Sequence, residues 1–181
     1  MKQRILIVGA VLGWMACGKL FSIRIGDEST TTIERGTLFE EFIGDMGYSE
    51  FTAMDLTQSA ELENQGVAPG DISEVYMELL ELEVAGPSGA DLSFIDSVEL
   101  YVEAPNLPRL LVASQDDFPA GETLVAFDLE DVDLTDYVVS ERMTFDTDMA
   151  GNRPDVDTDV TARFELKVGV TGQGACNATK R

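Results

Sequence analysis

From Thr158 to Val170 the chain alternates between residues that avoid water and residues that seek it. Val160, Ala162, Phe164, Leu166, Val168 and Val170 fall on one side, with Asp159, Thr161, Arg163, Glu165 and Lys167 on the other. Successive side chains of a β-strand point to opposite faces, so a period of two held this long predicts a strand with one face on a core and one in water. Val98, Leu100 and Val102 alternate with Glu99, Tyr101 and Glu103 in the same way. Shorter strands are expected at 21–25, 30–33, 51–56, 110–113, 124–129 and 142–147. Turn signals separate them, among them Gly26-Asp27, Gly86-Pro87-Ser88-Gly89, Pro119-Ala120-Gly121 and Gly151-Asn152-Arg153-Pro154. About eight short strands with frequent turns predict an all-β fold, an antiparallel β-sandwich.

Two stretches depart from this pattern. Leu38, Phe39, Phe42, Ile43 and Met46 recur at helical spacing ahead of Gly47, a suitable C-terminal cap, which predicts one short helix over a sandwich edge. Between Ile72 and Val84 the pattern is double. Ile72, Val75, Tyr76, Leu79 and Leu80 fit one helical face behind Asp71 as N-cap. Leu80, Leu82 and Val84 instead alternate with Glu81 and Glu83, and a β-bulge near Leu79 would reconcile the two halves of a strand. The strand is favoured. In its succession of strands the domain resembles the late-embryogenesis-abundant type 2 β-sandwiches and the immunoglobulin-like domains of bacterial surface lipoproteins. That resemblance implies the sandwich architecture and carries no functional residues.

The first residues have another character. Lys2 and Arg4 precede an uncharged run from Ile5 to Ala16. Its twelve residues would make roughly 18 Å of helix, short of the ~30 Å of a bilayer core. A basic start, a short apolar run and small residues at its end describe a signal peptide. The segment Trp14-Met15-Ala16-Cys17-Gly18 resembles the lipobox of bacterial lipoproteins, in which the cysteine thiol is acylated and the chain is cut just before it. Ala16 and Cys17 match, Gly18 is compatible, and Trp14 stands where the family usually has Leu. The resemblance implies lipidation at Cys17. Cleavage after Gly18 without lipid is the rival, and a retained, unlipidated Cys17 could pair with Cys176 in an oxidising compartment. The expected organisation is a signal peptide over 1–16, a lipid-anchored tether over 17–20, a sandwich domain over 21–170 and a polar tail over 171–181.

Charge narrows the function classes. Against 12 Lys and Arg stand 34 Asp and Glu, a net charge of −22. Nucleic acid is not an expected partner, because phosphate binding needs a basic surface that releases counterions. A membrane reached through the anchor, an envelope protein or a cationic partner is. The chain has no His, which removes the commonest general base and transition-metal ligand. Two Cys are too few for a disulfide framework or a Cys-based zinc site.

The densest polar cluster offers Asp146, Asp148, Asp155, Asp157 and Asp159 as candidate calcium ligands, since calcium takes six to eight oxygens. Asp146, Asp148, Gly151 and Asp157 coincide with positions one, three, six and twelve of the helix-loop-helix calcium pattern. Ala150 fails at position five, twelve should be Glu, and the flanks are strand-like. A solvated hairpin turn accounts for the same residues. A second group, Asp128, Glu130, Asp131, Asp133 and Asp136, would approach the first if their loops shared one end of the sandwich. Carboxylate pairs also serve glycoside hydrolysis, but the sole Trp lies in the signal segment. No catalytic residues are assigned and no cofactor is expected, with calcium as the exception to test. The sequence thus points to a non-enzymatic, lipid-anchored β-sandwich of the cell envelope, with a binding or structural role. It would sit at the outer membrane, on the periplasmic or surface face. A calcium-dependent adhesion or ligand-binding domain is the alternative, and a carboxylate-based glycoside hydrolase a remote one.

Overall fold

The computed structural model describes residues 21–36, 67–140 and 142–171. Cys17, Cys176, the strand expected at 51–56 and the helix expected around Leu38–Met46 lie outside these residues. Eight strands follow in order: β1 (Phe21–Ile33), β2 (Ile72–Gly86), β3 (Ile95–Glu103), β4 (Leu110–Gln115), β5 (Leu124–Ala126), β6 (Asp128–Leu129), β7 (Thr144–Gly151) and β8 (Thr158–Val170). They form two four-stranded antiparallel sheets, β1-β8-β2-β5 and β6-β4-β3-β7. One hydrophobic core lies between them, with Ile23, Ile25, Leu80, Leu82, Phe164 and Leu166 from the first sheet and Val98, Leu100, Val102, Val112 and Phe145 from the second. The all-β sandwich expected from the alternation is the fold observed.

Strand β8 carries the pattern that announced it. Val160, Ala162, Phe164, Leu166, Val168 and Val170 are all buried, and its outward residues from Asp159 to Lys167 are partly exposed. It lies between β1 and β2, so both of its edges are hydrogen-bonded.

Several boundaries differ from expectation. Residues 21–25 and 30–33 belong to one strand, because Gly26 and Asp27 stay in the ladder opposite Glu165 and Phe164. Gly26 is needed there for close approach rather than for a turn. A Cβ on it would lie 2.7 Å from the Phe164 carbonyl oxygen. The run 124–129 is two strands in different sheets. Leu124–Ala126 pairs with β2 and Asp128–Leu129 with β4, the chain crossing at buried Phe127, whose N–H donates to the Leu80 carbonyl. Strand β7 continues through Asp148 to Gly151, so the turn begins later than expected, at Asn152.

The segment 72–84 is a strand. Register shifts fall between Ser73 and Val75, between Met77 and Leu79, and between Val84 and Gly86. The second supplies the bulge that the change of phase near Leu79 called for. The only α-helix among the described residues, α1 (Thr135–Val138), was not anticipated. It is one turn long and sits on the connection from β6 to β7, with Tyr137 buried and its hydroxyl donating to the Pro108 carbonyl at 2.7 Å.

Register also fixes the two ends of the sandwich. Phe21 opposes Val170 at one end, and Ile33 opposes Thr158 at the other. The start of β1 and the end of β8 therefore lie together. The β2–β3, β4–β5 and β7–β8 loops gather at the far end, where Gly86 opposes Asp159 and Ile95 opposes Gly151.

Candidate functional site

The expected calcium ligands are dispersed. Asp146 and Asp148 are two apart on β7, so both point outward from the second sheet, and the Arg109 guanidinium bridges them. Its Nη2 lies 2.9 Å from Asp146 Oδ2 and 2.9 Å from Asp148 Oδ2. The guanidinium also stacks on the Tyr101 ring at 3.5 Å, with Glu103 at 3.4 Å. Arg109, just ahead of β4, thus links to β3 and β7, and a planar cation already bridges the pair of carboxylates that a metal would need.

Asp159 belongs to the other sheet, and Asp157 lies on the β7–β8 loop just before it. Asp157 Oδ1 accepts the Arg35 N–H at 2.7 Å, and Asp159 Oδ1 accepts the Thr32 hydroxyl at 2.5 Å. Asp155 is exposed on the β7–β8 loop. No group of three or more His, Cys, Asp or Glu placed to hold a metal ion occurs among the described residues. The second acidic group does not join the first. Asp133 lies against Val75 near the start of β2, whereas the β7–β8 loop lies beside its end.

The outer face of the first sheet is a charge ladder. Arg163 meets Glu28, Glu81 and Glu83 at 3.2, 2.5 and 3.7 Å. Arg24 meets Glu78 and Glu165, and Lys167 meets Glu78. Hydrogen bonds from Arg24 and Lys167 hold the Glu78 carboxyl below the usual carboxylate range. These pairs lie at the surface, with Glu78 and Glu81 half-buried, so each stabilises modestly.

A cleft of about 410 Å³ opens at the loop-bearing end, between the β2–β3 and β7–β8 loops. Turn chemistry shapes both walls. Asp91 closes the β2–β3 loop by accepting the Ser93 hydroxyl and N–H on one oxygen, at 2.6 and 3.0 Å. Its other oxygen accepts the Gly121 N–H from the β4–β5 loop at 2.7 Å. These donors, led by the Ser93 hydroxyl, lower the Asp91 pKa and commit that carboxylate to structure. The opposite wall is joined to the first by the Asn152 N–H, which donates to the Phe94 carbonyl at 2.6 Å. Phe94 and Pro154 supply buried apolar surface, and Val156 is an exposed apolar side chain at 45 %. Arg153 also lines the cleft, and the turn bearing Arg35 abuts the same loop through the Gly36 N–H to the Pro154 carbonyl.

Residues such as Phe94, Asn152 and Arg153 carried no functional signal in the sequence. Asn152 and Arg153 read as part of a turn and Phe94 fell in no expected element, and only the meeting of two loops separated by five strands makes them neighbours. Among the described residues no helix is long and apolar enough to cross a membrane. Comparison of the chain with protein-family models, with curated proteins and with solved structures finds no match.

Proposed function

We propose that the chain is a non-enzymatic, lipid-anchored protein of the cell envelope whose β-sandwich presents its loop-bearing end to a ligand. The observation that carries this reading is the full pairing of β1 with β8. A tether at Cys17 enters the fold at Phe21, and the cleft lies at the other end of the same strand. The 13 residues of β1, at roughly 3.3 Å each, span about 40 Å. An anchor on Cys17 would therefore hold the cleft on the side of the domain that faces away from its membrane, where a ligand has access. A basic start, a short apolar run and a small residue before Cys17 support the anchor itself. The absence of His, and an Asp91 already saturated by hydrogen bonds, support binding rather than catalysis. The domain would sit at the outer membrane, on its periplasmic or surface face.

Metabolic labelling with a fatty-acid probe tests the anchor. Wild type should take up label and partition with membranes, and Cys17→Ser should do neither. Equal labelling of the two proteins, or none of either, would remove the lipid from this reading.

A further inference from the structure

We infer that the end of the sandwich where β1 begins rests on a lipid surface, which it touches through the β3–β4 loop and through Val139 beside α1. This gives one end of the domain a partner of its own, and it rests on the anchor proposed above.

The first observation is reach. From Cys17 to Phe21 the chain advances four residues, which span at most about 14 Å when fully extended. Phe21 opposes Val170 of β8, and Ile72 of β2 opposes the same residue from the other side. A lipid on Cys17 therefore keeps the starts of β1 and β2 close to the headgroups.

The second is which loops lie at that end. The Leu134 N–H donates to the Val75 carbonyl near the start of β2, and the Tyr137 hydroxyl of α1 donates to the Pro108 carbonyl. These two bonds set α1 and the β3–β4 loop side by side at the tether end. There Pro105, Asn106 and Pro108 are exposed, Leu107 is half-buried, and Val139 is 42 % exposed.

The third is a contrast of charge between the two ends. The β2–β3, β4–β5 and β7–β8 loops of the far end carry Asp91, Asp116, Asp117, Glu122, Asp155 and Asp157. At the tether end no residue is charged from Ala104 to Pro108, or from Tyr137 to Ser140. Glu103, Asp136 and Glu141 border these two stretches, as do Arg109 and Arg142, so the bordering charges nearly balance. In a chain of net charge −22, this is surface that approaches headgroups without stripping water from a charge. The acidic far end does not oppose the approach. At about 0.1 M salt its field fades within roughly 10 Å, and β1 spans about 40 Å. One valine and a short loop would not hold a free domain on a bilayer. A short tether raises the effective concentration to about millimolar, and a weak contact then suffices.

Fluorescence quenching by lipid tests the inference. The protein is extracted from the membranes of cells producing the full chain and reconstituted into vesicles of phosphatidylethanolamine and phosphatidylglycerol. A nitrobenzoxadiazole dye is attached at Val139→Cys, in a Cys176→Ser background that removes the other thiol. Val156→Cys is the control, because Val156 is a valine of similar exposure, 45 %, at the far end. Lipid with a nitroxide on its headgroup should quench the dye at residue 139 and leave the dye at residue 156 unchanged. Asn106→Asp then separates contact from mere nearness. Asn106 has φ of +66°, which aspartate also tolerates, and the added charge is repelled by phosphatidylglycerol. This variant should lose part of the quenching at residue 139 and keep the wild-type melting temperature.

Equal quenching at the two positions, none at either, or quenching at residue 139 untouched by Asn106→Asp would overturn the inference. The two readings fail distinguishably. A fatty-acid label on Cys17 with equal quenching at both positions would remove the contact and keep the anchor. No label on Cys17 would remove the anchor, and the contact with it.

Discussion

Strands β8 and β2 lie side by side and line the same core, yet one keeps a period of two throughout and the other breaks it. The buried residues of β8 step evenly from Val160 to Val170. Those of β2 run Ile72, Val75, Met77, Leu80, Leu82, with two steps of three residues. Each long step coincides with a register shift, the first at Glu74 and the second at Glu78. Two bulges four residues apart place apolar residues at the spacing of a helical face, and that is why the segment reads both ways in sequence.

The difference follows from what each strand has for neighbours. Strand β8 is paired on both edges along its length, so any extra residue would break two ladders. Strand β2 pairs with the short β5 only from Glu81 to Glu83. Nearer its start, that edge is covered by the segment leading into α1. The Val75 N–H, freed by the bulge, donates to Asp133 Oδ1 and Thr135 Oγ1, each at 3.1 Å, and the Leu134 N–H donates to the Val75 carbonyl at 2.8 Å. A buried N–H left alone would cost about 1–3 kcal/mol. The bulge persists because the α1 segment satisfies it.

The largest expected effect breaks the regular member of the pair. Phe164 is 3 % exposed at the centre of β8, and Phe164→Ala should lose about 3–5 kcal/mol in urea unfolding. A loss below about 1 kcal/mol would mean that the face assignment of β8 is wrong.

The next effect lies where the two strands touch. Gly169 of β8 opposes Ser73 at the first bulge, and a Cβ there would lie 2.3 Å from the Ser73 carbonyl oxygen. Gly169→Ala should therefore cost about 2–3 kcal/mol as the backbones move apart, although Ala is ordinarily tolerated in strands. Wild-type stability in this variant would show that β2 does not press on β8 there.

A smaller effect separates bulge from strand by its sign. Glu74 has φ of +53°. Val is the better residue in a regular strand, but a β-branched side chain strongly resists that conformation. Glu74→Val should destabilise by about 1–2 kcal/mol, and a gain in stability would argue that β2 is regular at this point.

The smallest effect concerns Glu78, the extra residue of the second bulge, whose carboxylate reaches Arg24 of β1 and Lys167 of β8 at 2.8 and 2.9 Å. Because the fold lowers its pKa from 4.5, its contribution is complete above that value and is lost as pH falls through the folded pKa. The stability difference between wild type and Glu78→Gln should shrink as pH is taken from about 6 to about 3. A difference constant with pH would mean that these cations do not stabilise the charged form.

The legible parts of this molecule were those that local geometry dictates. The alternation of Val160 to Val170, and of Val98 to Val102, identified two central strands and the faces they bury. Gly26-Asp27 misled because glycine signals both turns and close approach, and only the neighbour at 2.7 Å distinguishes them. The carboxylates from Asp146 to Asp159 looked like one cluster because they are close in sequence. Strand pairing sent Asp146 and Asp148 to one sheet and Asp159 to the other, where Arg109 and Thr32 engage them.

By itself the sequence determined the all-β class, the length of β8, the inward set of its side chains and the strongly acidic surface. These follow from a period of two and from composition, both of which are properties of the chain taken a few residues at a time. The tertiary structure alone decided that β2 is a bulged strand, that the chain crosses between sheets at Phe127, and that Phe94 and Arg153 share one cleft. Those outcomes depend on which backbone groups find partners and which loops are brought to the same end. Partners so far apart along the chain leave no mark on the local pattern of either.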